Sequence, residues 1–216
     1  MGNFDQEFET RGYRSIPKLL LESEIRAISE RLSAGATLKA GDRRLLDHTW
    51  CQELAKTLLR RVRELELVNG KFVSVLCTYF SKTGRTNWGV APHRDTCIPV
   101  HAKFHTGDWC NWTVKQDIPH VQPPHSMLRS MFAIRLNVDH SKRNNGALEV
   151  APGSHNSPGS ASPMVVCEGE AGSALLMSPL LVHSSKKSRT EESRRVLHFL
   201  YGPCEMSPPA RWYYAV

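Results

Sequence analysis

Asn69-Gly70-Lys71-Phe72-Val73-Ser74-Val75-Leu76-Cys77-Thr78-Tyr79-Phe80 is where the texture of this chain changes. Asn-Gly marks a turn. The residues after Lys71 are mostly β-branched, aromatic or otherwise apolar, the composition of a covered strand. Upstream the period is helical. Residues 17–34 place Leu20, Leu21, Ile25, Ile28 and Leu32 on one face, with Ser15 as a cap, Pro17 in a first turn and Gly35 at the end. Residues 50–66 repeat the pattern with Leu54, Leu58, Val62 and Leu65. Downstream, short runs at Met131 to Val138, Ala147 to Ala151, Ala174 to Ser178 and Arg195 to Tyr201 are separated by Gly, Pro and Asn clusters. Several short strands between turn signals predict a sandwich or barrel. The expected fold is mainly β with a helical N-terminal part. Residues 1–69 form the helical part packing on the core, and residues 70–216 form the β core, together one structural unit. The stretch from Pro99 to Met127 lacks a regular pattern and reads as a long loop, functional or disordered.

The 216 residues fit one domain, and 40% hydrophobic residues are enough for a sizeable core. No apolar run approaches the ~18 residues of a membrane span. Met1-Gly2-Asn3-Phe4-Asp5-Gln6 is polar and does not read as a signal peptide. Gly2 invites myristoylation, but Gln6 stands where Ser or Thr is required. Six cysteines, none in a C-x-x-C pair, read as reduced thiols of a cytoplasmic protein and argue against a zinc ribbon. The net charge of +7 is scattered. Its densest stretch, Lys186-Lys187-Ser188-Arg189, runs into Glu191-Glu192, with no interleaved aromatics to stack bases. Nucleic acid and membrane are therefore not the expected partners.

His93-Arg94-Asp95 follows a strand and a Gly/Pro stretch. An H-x-D pair alone is a weak signal. On an extended segment, however, residues two apart point the same way, so one imidazole and one carboxylate converge. His183 closes the apolar run Leu180-Leu181-Val182 after another strand and can supply a second imidazole. Two histidines and one carboxylate on one face of a metal form the triad of non-haem iron(II) oxygenases, which leaves adjacent positions open. Hydrolytic zinc sites prefer another arrangement. Arg194 and Arg195 both follow at the start of a strand, pointing to opposite faces, and either guanidinium can grip a carboxylate. If that strand is antiparallel to the one carrying His183, the arginine enters the pocket. On the strand Phe132 to Val138, Ala133, Arg135 and Asn137 form a polar face, open to solvent or to a substrate. His101, His105, His120, His125 and His140 read as surface loop residues.

Asn87 to Asp95, Asn144-Asn145-Gly146-Ala147-Leu148-Glu149-Val150-Ala151-Pro152-Gly153-Ser154-His155, and His183 to His198 together carry a family likeness. The chain resembles the phytanoyl-CoA dioxygenase-like oxygenases from about Phe72 to the C-terminus, and across the helical front as well. The resemblance implies a double-stranded β-helix, a cupin-like jelly roll of two facing sheets flanked by helices. It implies iron(II) on His93, Asp95 and His183. It implies 2-oxoglutarate on Arg194, favoured over Arg195 by the spacing of eleven from His183, with Ser185 as a second contact. Dioxygen is the implied oxidant and ascorbate an accessory reductant. The implied reaction is hydroxylation, or a related oxidation, of a small molecule's C–H bond, with succinate and carbon dioxide leaving. Arg94 stands where relatives often carry Gln, at a position that points away from the metal. His155 is placed in a turn, and the linker from His155 to Pro163 looks shortened, which would leave the pocket more open. Arg135, Asn137 and Trp88 are the candidate substrate contacts, with packing the competing role for Trp88. The substrate is expected to be small and acidic, and the protein a monomer or homodimer. A metal-free jelly-roll binding module and a nucleic-acid-directed oxygenase are the rival readings.

Overall fold

The computed structural model describes residues 3–34, 39–83, 86–157 and 162–216. In chain order its elements are β1 (Asn3–Phe4), α1 (Gln6–Arg11), β2 (Tyr13–Ile16), α2 (Glu22–Ala34), α3 (Thr49–Glu64), β3 (Val68–Asn69), β4 (Phe72–Lys82), β5 (Val90–His93), β6 (Ile98–Pro99), β7 (Cys110–Lys115), β8 (Ile118–Gln122), α4 (His125–Arg129), β9 (Phe132–Asn137), β10 (Leu148–Val150), β11 (Val165–Cys167), β12 (Ala174–Met177), β13 (His183–Ser185) and β14 (Arg194–Pro203). A larger sheet has the order β2-β12-β9-β14-β4, and a smaller one β11-β10-β13-β5. Neighbours in both sheets are antiparallel. The fold is the jelly roll expected from the sequence.

Alternation along β9 and β14 divides the interior into two layers. Phe132, Ile134 and Leu136 of β9, with Leu197, Phe199 and Tyr201 of β14, pack outward against Ile25, Ile28 and Leu32 of α2 and Leu58 and Val62 of α3. Val150, Leu175, Met177, Leu181 and Leu200 fill the second layer between the sheets. The polar face of β9 therefore looks into the barrel, and Arg135 is buried there. The outer layer is tied by polar contacts as well. Tyr201 Oη donates to Ala55 O of α3 at 2.9 Å. Arg61 of α3 grips Glu24 of α2 through both terminal nitrogens. Arg195 pairs with Asp139 at 2.7 Å and reaches Ser29 of α2.

Three sequence expectations are corrected. The helix expected over residues 17–34 is α2, which begins at Glu22 and not at residue 17. Leu19 and Leu20 donate their N–H groups to Gly172 O at 2.9 and 3.0 Å, so the preceding turn is bound to the larger sheet before a helix can form. The N-terminal part is not wholly helical, because β2 pairs with β12 as an edge strand of the larger sheet. Four residues, Tyr13-Arg14-Ser15-Ile16, are too short a run to stand out by periodicity. The segment 99–127 is not one irregular loop: β6, β8 and β7 form a small sheet. Its hairpin turns at Gln116 and Asp117, both at positive φ (51° and 63°). A two-residue turn of that hand usually announces itself as Asn-Gly or Asp-Gly, and this one does not. Gly2, Gly35 and part of the 155–163 linker lie outside the described residues.

Phe132 is fully buried, stacked on Tyr201 at 4.9 Å and edge-on to Phe72 at 5.0 Å. Phe132→Ala should destabilise the protein by about 3–5 kcal/mol, because the cavity adds to the lost transfer energy. Urea denaturation measures this. A loss below about 1 kcal/mol would show that the helices do not close on the sheet as described.

Candidate active site

β5 and β13 lie side by side, with His93 directly opposite His183. Their ring centroids are 4.2 Å apart. Asp95 lies just past the end of β5, where its N–H donates to Pro179 O at 2.8 Å. Asp95 Oδ1 is 3.7 Å from His93 Nε2, and Oδ2 is 3.7 Å from His183 Nε2. One ligand atom from each residue lies within 4.8 Å of the other two. Each imidazole donates Nδ1–H to the backbone carbonyl two residues earlier, Ala91 O for His93 and Leu181 O for His183, both at 2.9 Å. That bond fixes the tautomer and leaves the Nε2 lone pair free for a metal. Burial lowers the His183 pKa to about 4, so the ring is neutral at physiological pH. Burial alone would raise the Asp95 pKa, but His198, His183 and His93 around it hold the carboxyl well below the usual range. His198 Nε2 stands 3.5 Å from Oδ2. Nothing in the sequence marked His198, which sits four residues beyond Arg194 on the same face of β14.

An inner chamber opens from the triad into the barrel, lined by Lys82, Trp88, Arg135, Ser185 and Arg194 among others. Arg194 is only 1% exposed, and its Nε and Nη1 have no hydrogen-bond partner. It reaches the chamber from the sheet facing the triad, where β14 pairs with β4 and β9 and not with β13. The register sets Arg194 against Lys82, a residue the sequence reading passed over. Lys82 Nζ donates to Ser185 Oγ at 2.7 Å and to Lys186 O at 2.5 Å. Burial, with the charges of Arg194 and Arg135 nearby, lowers its pKa to about 8. Burial also lowers Arg135 to about 9 and Arg194 to about 10. Among the described residues none of these three cations has a carboxylate within 4.0 Å. Such a chamber fits a small dianion beside a metal.

The other expected residues divide clearly. Trp88 faces the chamber, its ring 5.7 Å from Lys82 Nζ. Ser185 lines it too, but its hydroxyl donates to Gly146 O at 2.8 Å and accepts from Lys82. Asn137 does not line it: its amide donates to Ser173 Oγ and accepts from Ser141 Oγ. Arg195 faces α2. Arg94 turns away from the triad and donates to Leu180 O and Ser154 O. His155 is buried in its turn against Glu9 O. His120, read as a surface residue, is buried on β8.

The family described as phytanoyl-CoA dioxygenase (PhyH) matches residues 8–196. Among curated proteins, none matches the sequence. Solved structures of similar fold include the non-haem α-ketoglutarate-dependent epimerase SnoN from nogalamycin biosynthesis, crystallised with Fe3+, α-ketoglutarate and nogalamycin RO. It is 15% identical at a TM-score of 0.68, over 97% of this chain and 93% of that one. The carbocyclase SnoK, also from nogalamycin biosynthesis, is 14% identical at a TM-score of 0.66, over 98% and 85%. HygX from Streptomyces hygroscopicus, crystallised with nickel, 2-oxoglutarate and hygromycin B, is 17% identical at a TM-score of 0.60, over 91% and 84%.

The donor geometry makes a direct prediction. His93→Ala and His183→Ala should each bind at least ~100-fold less iron(II) than the parent under anaerobic loading, since two remaining donors hold a labile ion poorly. Elemental analysis after desalting reads the result. Equal metal content in parent and variants would show that the metal lies elsewhere.

Proposed function

This chain belongs to the phytanoyl-CoA dioxygenase family, and on that premise we propose that it is an iron(II)- and 2-oxoglutarate-dependent dioxygenase that oxidises an unactivated C–H bond of a small molecule. One observation carries the reading: a His93–Asp95–His183 donor set shares its barrel with the buried, unpartnered guanidinium of Arg194. When bound, iron(II) with 2-oxoglutarate and dioxygen supplies the oxidising power, with succinate and carbon dioxide as co-products.

The chain's own residues do the rest. His93 and His183 present lone pairs because their other ring nitrogens are held by the backbone. Asp95 adds the third donor and a negative charge at the metal. Its presence in that position makes oxygenation, and not halogenation, the proposed outcome. Arg194 receives the distal carboxylate of the cosubstrate as a two-pronged donor. Lys82 and Arg135 supply further positive charge there. Ser185 acts by orienting Lys82, since its own hydrogen is held by Gly146 O. Trp88 and Phe80 wall the chamber and exclude water. The fold also serves an epimerase and a carbocyclase, so the product decides between hydroxylation and a related oxidation. The buried cations Lys82, Arg135 and Arg194 line a cavity and not an open face, which favours a small molecule over nucleic acid.

Anaerobic addition of iron(II) and 2-oxoglutarate should produce a visible charge-transfer band, and aerobic incubation with a metabolite panel should release succinate in step with one substrate. Arg194→Ala should weaken 2-oxoglutarate binding by roughly 30-fold or more, from a loss of about 2 kcal/mol, with iron binding kept. Arg195→Ala should leave it nearly unchanged, because that guanidinium is held by Asp139. A parent protein without the band refutes the proposed cofactor pair.

A further inference from the structure

A second cavity of about 340 Å³ adjoins the same donor set. It shares His93, Asp95, Val90, Phe80 and His198 with the inner chamber but none of that chamber's cations. Its walls come from two segments to which no site residue was assigned above. Arg43 enters from the segment between α2 and α3, and Lys115 and His120 from the hairpin of β7 and β8. The hairpin tip holds the segment in place. Arg43 N–H donates to Gln116 Oε1 at 2.7 Å, and Asp42 bridges to Tyr79 of β4.

In this outer chamber two cations lack a counter-ion and one buried acceptor lacks a donor. Arg43 donates from Nη1 to Gly41 O at 2.9 Å. Among the described residues neither Arg43 nor Lys115 has a carboxylate within 4.0 Å. His120 is 1% exposed. Its Nδ1–H donates to Ile118 O at 2.9 Å, and its Nε2 has no partner. With Nδ1 carrying the hydrogen, Nε2 is a bare acceptor. Burial, with Lys115 and Arg43 close by, lowers the ring's pKa to about 4, so it stays neutral and keeps that lone pair. A buried acceptor left open costs free energy that only a donor can recover. A neutral ligand would leave both cations unanswered, and a cationic one would be repelled.

We propose that the outer chamber is the substrate site and that its substrate is a small oxyanion carrying a hydroxyl or amine, the anionic group held by Arg43 and Lys115 and the O–H or N–H donated to His120 Nε2. The proposal rests on the dioxygenase reading only for the identity of the reacting centre. Carboxylate and phosphate share the recognising chemistry, and the test separates them.

Manganese(II) in the triad makes nuclear relaxation a ruler for nearby ligands. With the manganese protein saturated in 2-oxoglutarate, so that the inner chamber is filled, inorganic phosphate (31P) and acetate (1H) are titrated separately, with glycerol as the uncharged control. At least one anion should show saturable relaxation enhancement, and the tighter of the two identifies the preferred group. Arg43→Gln and Lys115→Gln should each weaken it about tenfold, the loss of one charge-assisted contact. Affinity for 2-oxoglutarate should stay within about twofold of the parent. Enhancement that persists unchanged in both variants, is matched by glycerol, or is absent for both anions overturns the proposal. A protein that does not bind manganese refutes the dioxygenase reading instead. Calorimetric titration of phosphate and acetate into the metal-free parent and variants then decides the chamber alone. A tenfold loss upholds the anion site, and equal or absent binding overturns it.

Discussion

Buried positive charge without a protein counter-ion is the constraint around which this structure is arranged. Lys82 and Arg194 are each 1% exposed, and Arg135 is buried beside them. An unpaired ion in a protein interior costs several kcal/mol, even after relaxation and partial hydration. The lowered pKa values of all three record that cost. A fold can hold such a cluster only if packing elsewhere is strong enough to offset it. Here the outer layer does so, where α2 and α3 close over the apolar face of β9 and β14. The strands that carry the cations inward carry the packing residues outward. Site and scaffold are therefore two faces of the same strands, and the pleat makes them inseparable.

The stretch from Pro152 to His155, which bears part of the family likeness, turns out to be a clamp and not a set of ligands. Ser154 Oγ accepts from Val182 N–H, immediately before His183, and Ser154 O accepts from Arg94, between His93 and Asp95. Gly153 N–H donates to Arg11 O, and His155 contacts Glu9 O. One turn thus ties the segments of His93–Asp95 and His183 to each other and to α1. The rings of His93 and His183 need no side-chain partners to orient them, because the backbone carbonyl two residues back holds each one.

What was legible followed from pattern over many residues. β4, β9, β12 and β14 showed themselves by composition, and α3 by its apolar face. The convergence of His93 and Asp95 followed from the two-residue period of extended chain. What was hidden depends on pairing between distant segments. Lys82 ends an apolar strand and looks like a terminus until the ten-residue register with β14 sets it against Arg194. His198 is one polar residue in an apolar run, with the face it uses fixed by the same register. Asn137 shares a strand face with Arg135 yet lies beyond the chamber, because Ser141 and Ser173 sit at that end of the strand. Alternation gives the face a side chain takes, but not how far along the strand the cavity extends.

The two chambers differ in how they can relieve their charge, and that difference orders their roles. Arg194 and Lys82 are shut from water, so only a ligand can answer them. Arg43 is half-buried, and its pKa is lowered by burial but raised in part by the nearby carboxylates of Asp95 and Asp42. The donor set itself is graded, with the His183 side chain 7% exposed and those of Asp95 and His93 38% and 40%. A dianion entering the inner chamber gains the most, since it removes an unrelieved cost as well as making contacts. A ligand of the outer chamber displaces water from groups that were partly hydrated, so its net gain is smaller and depends more on fit. On the proposed reading, the cosubstrate binds by strength and the substrate by complementarity, with Asp95, His93 and His198 as the common wall between them.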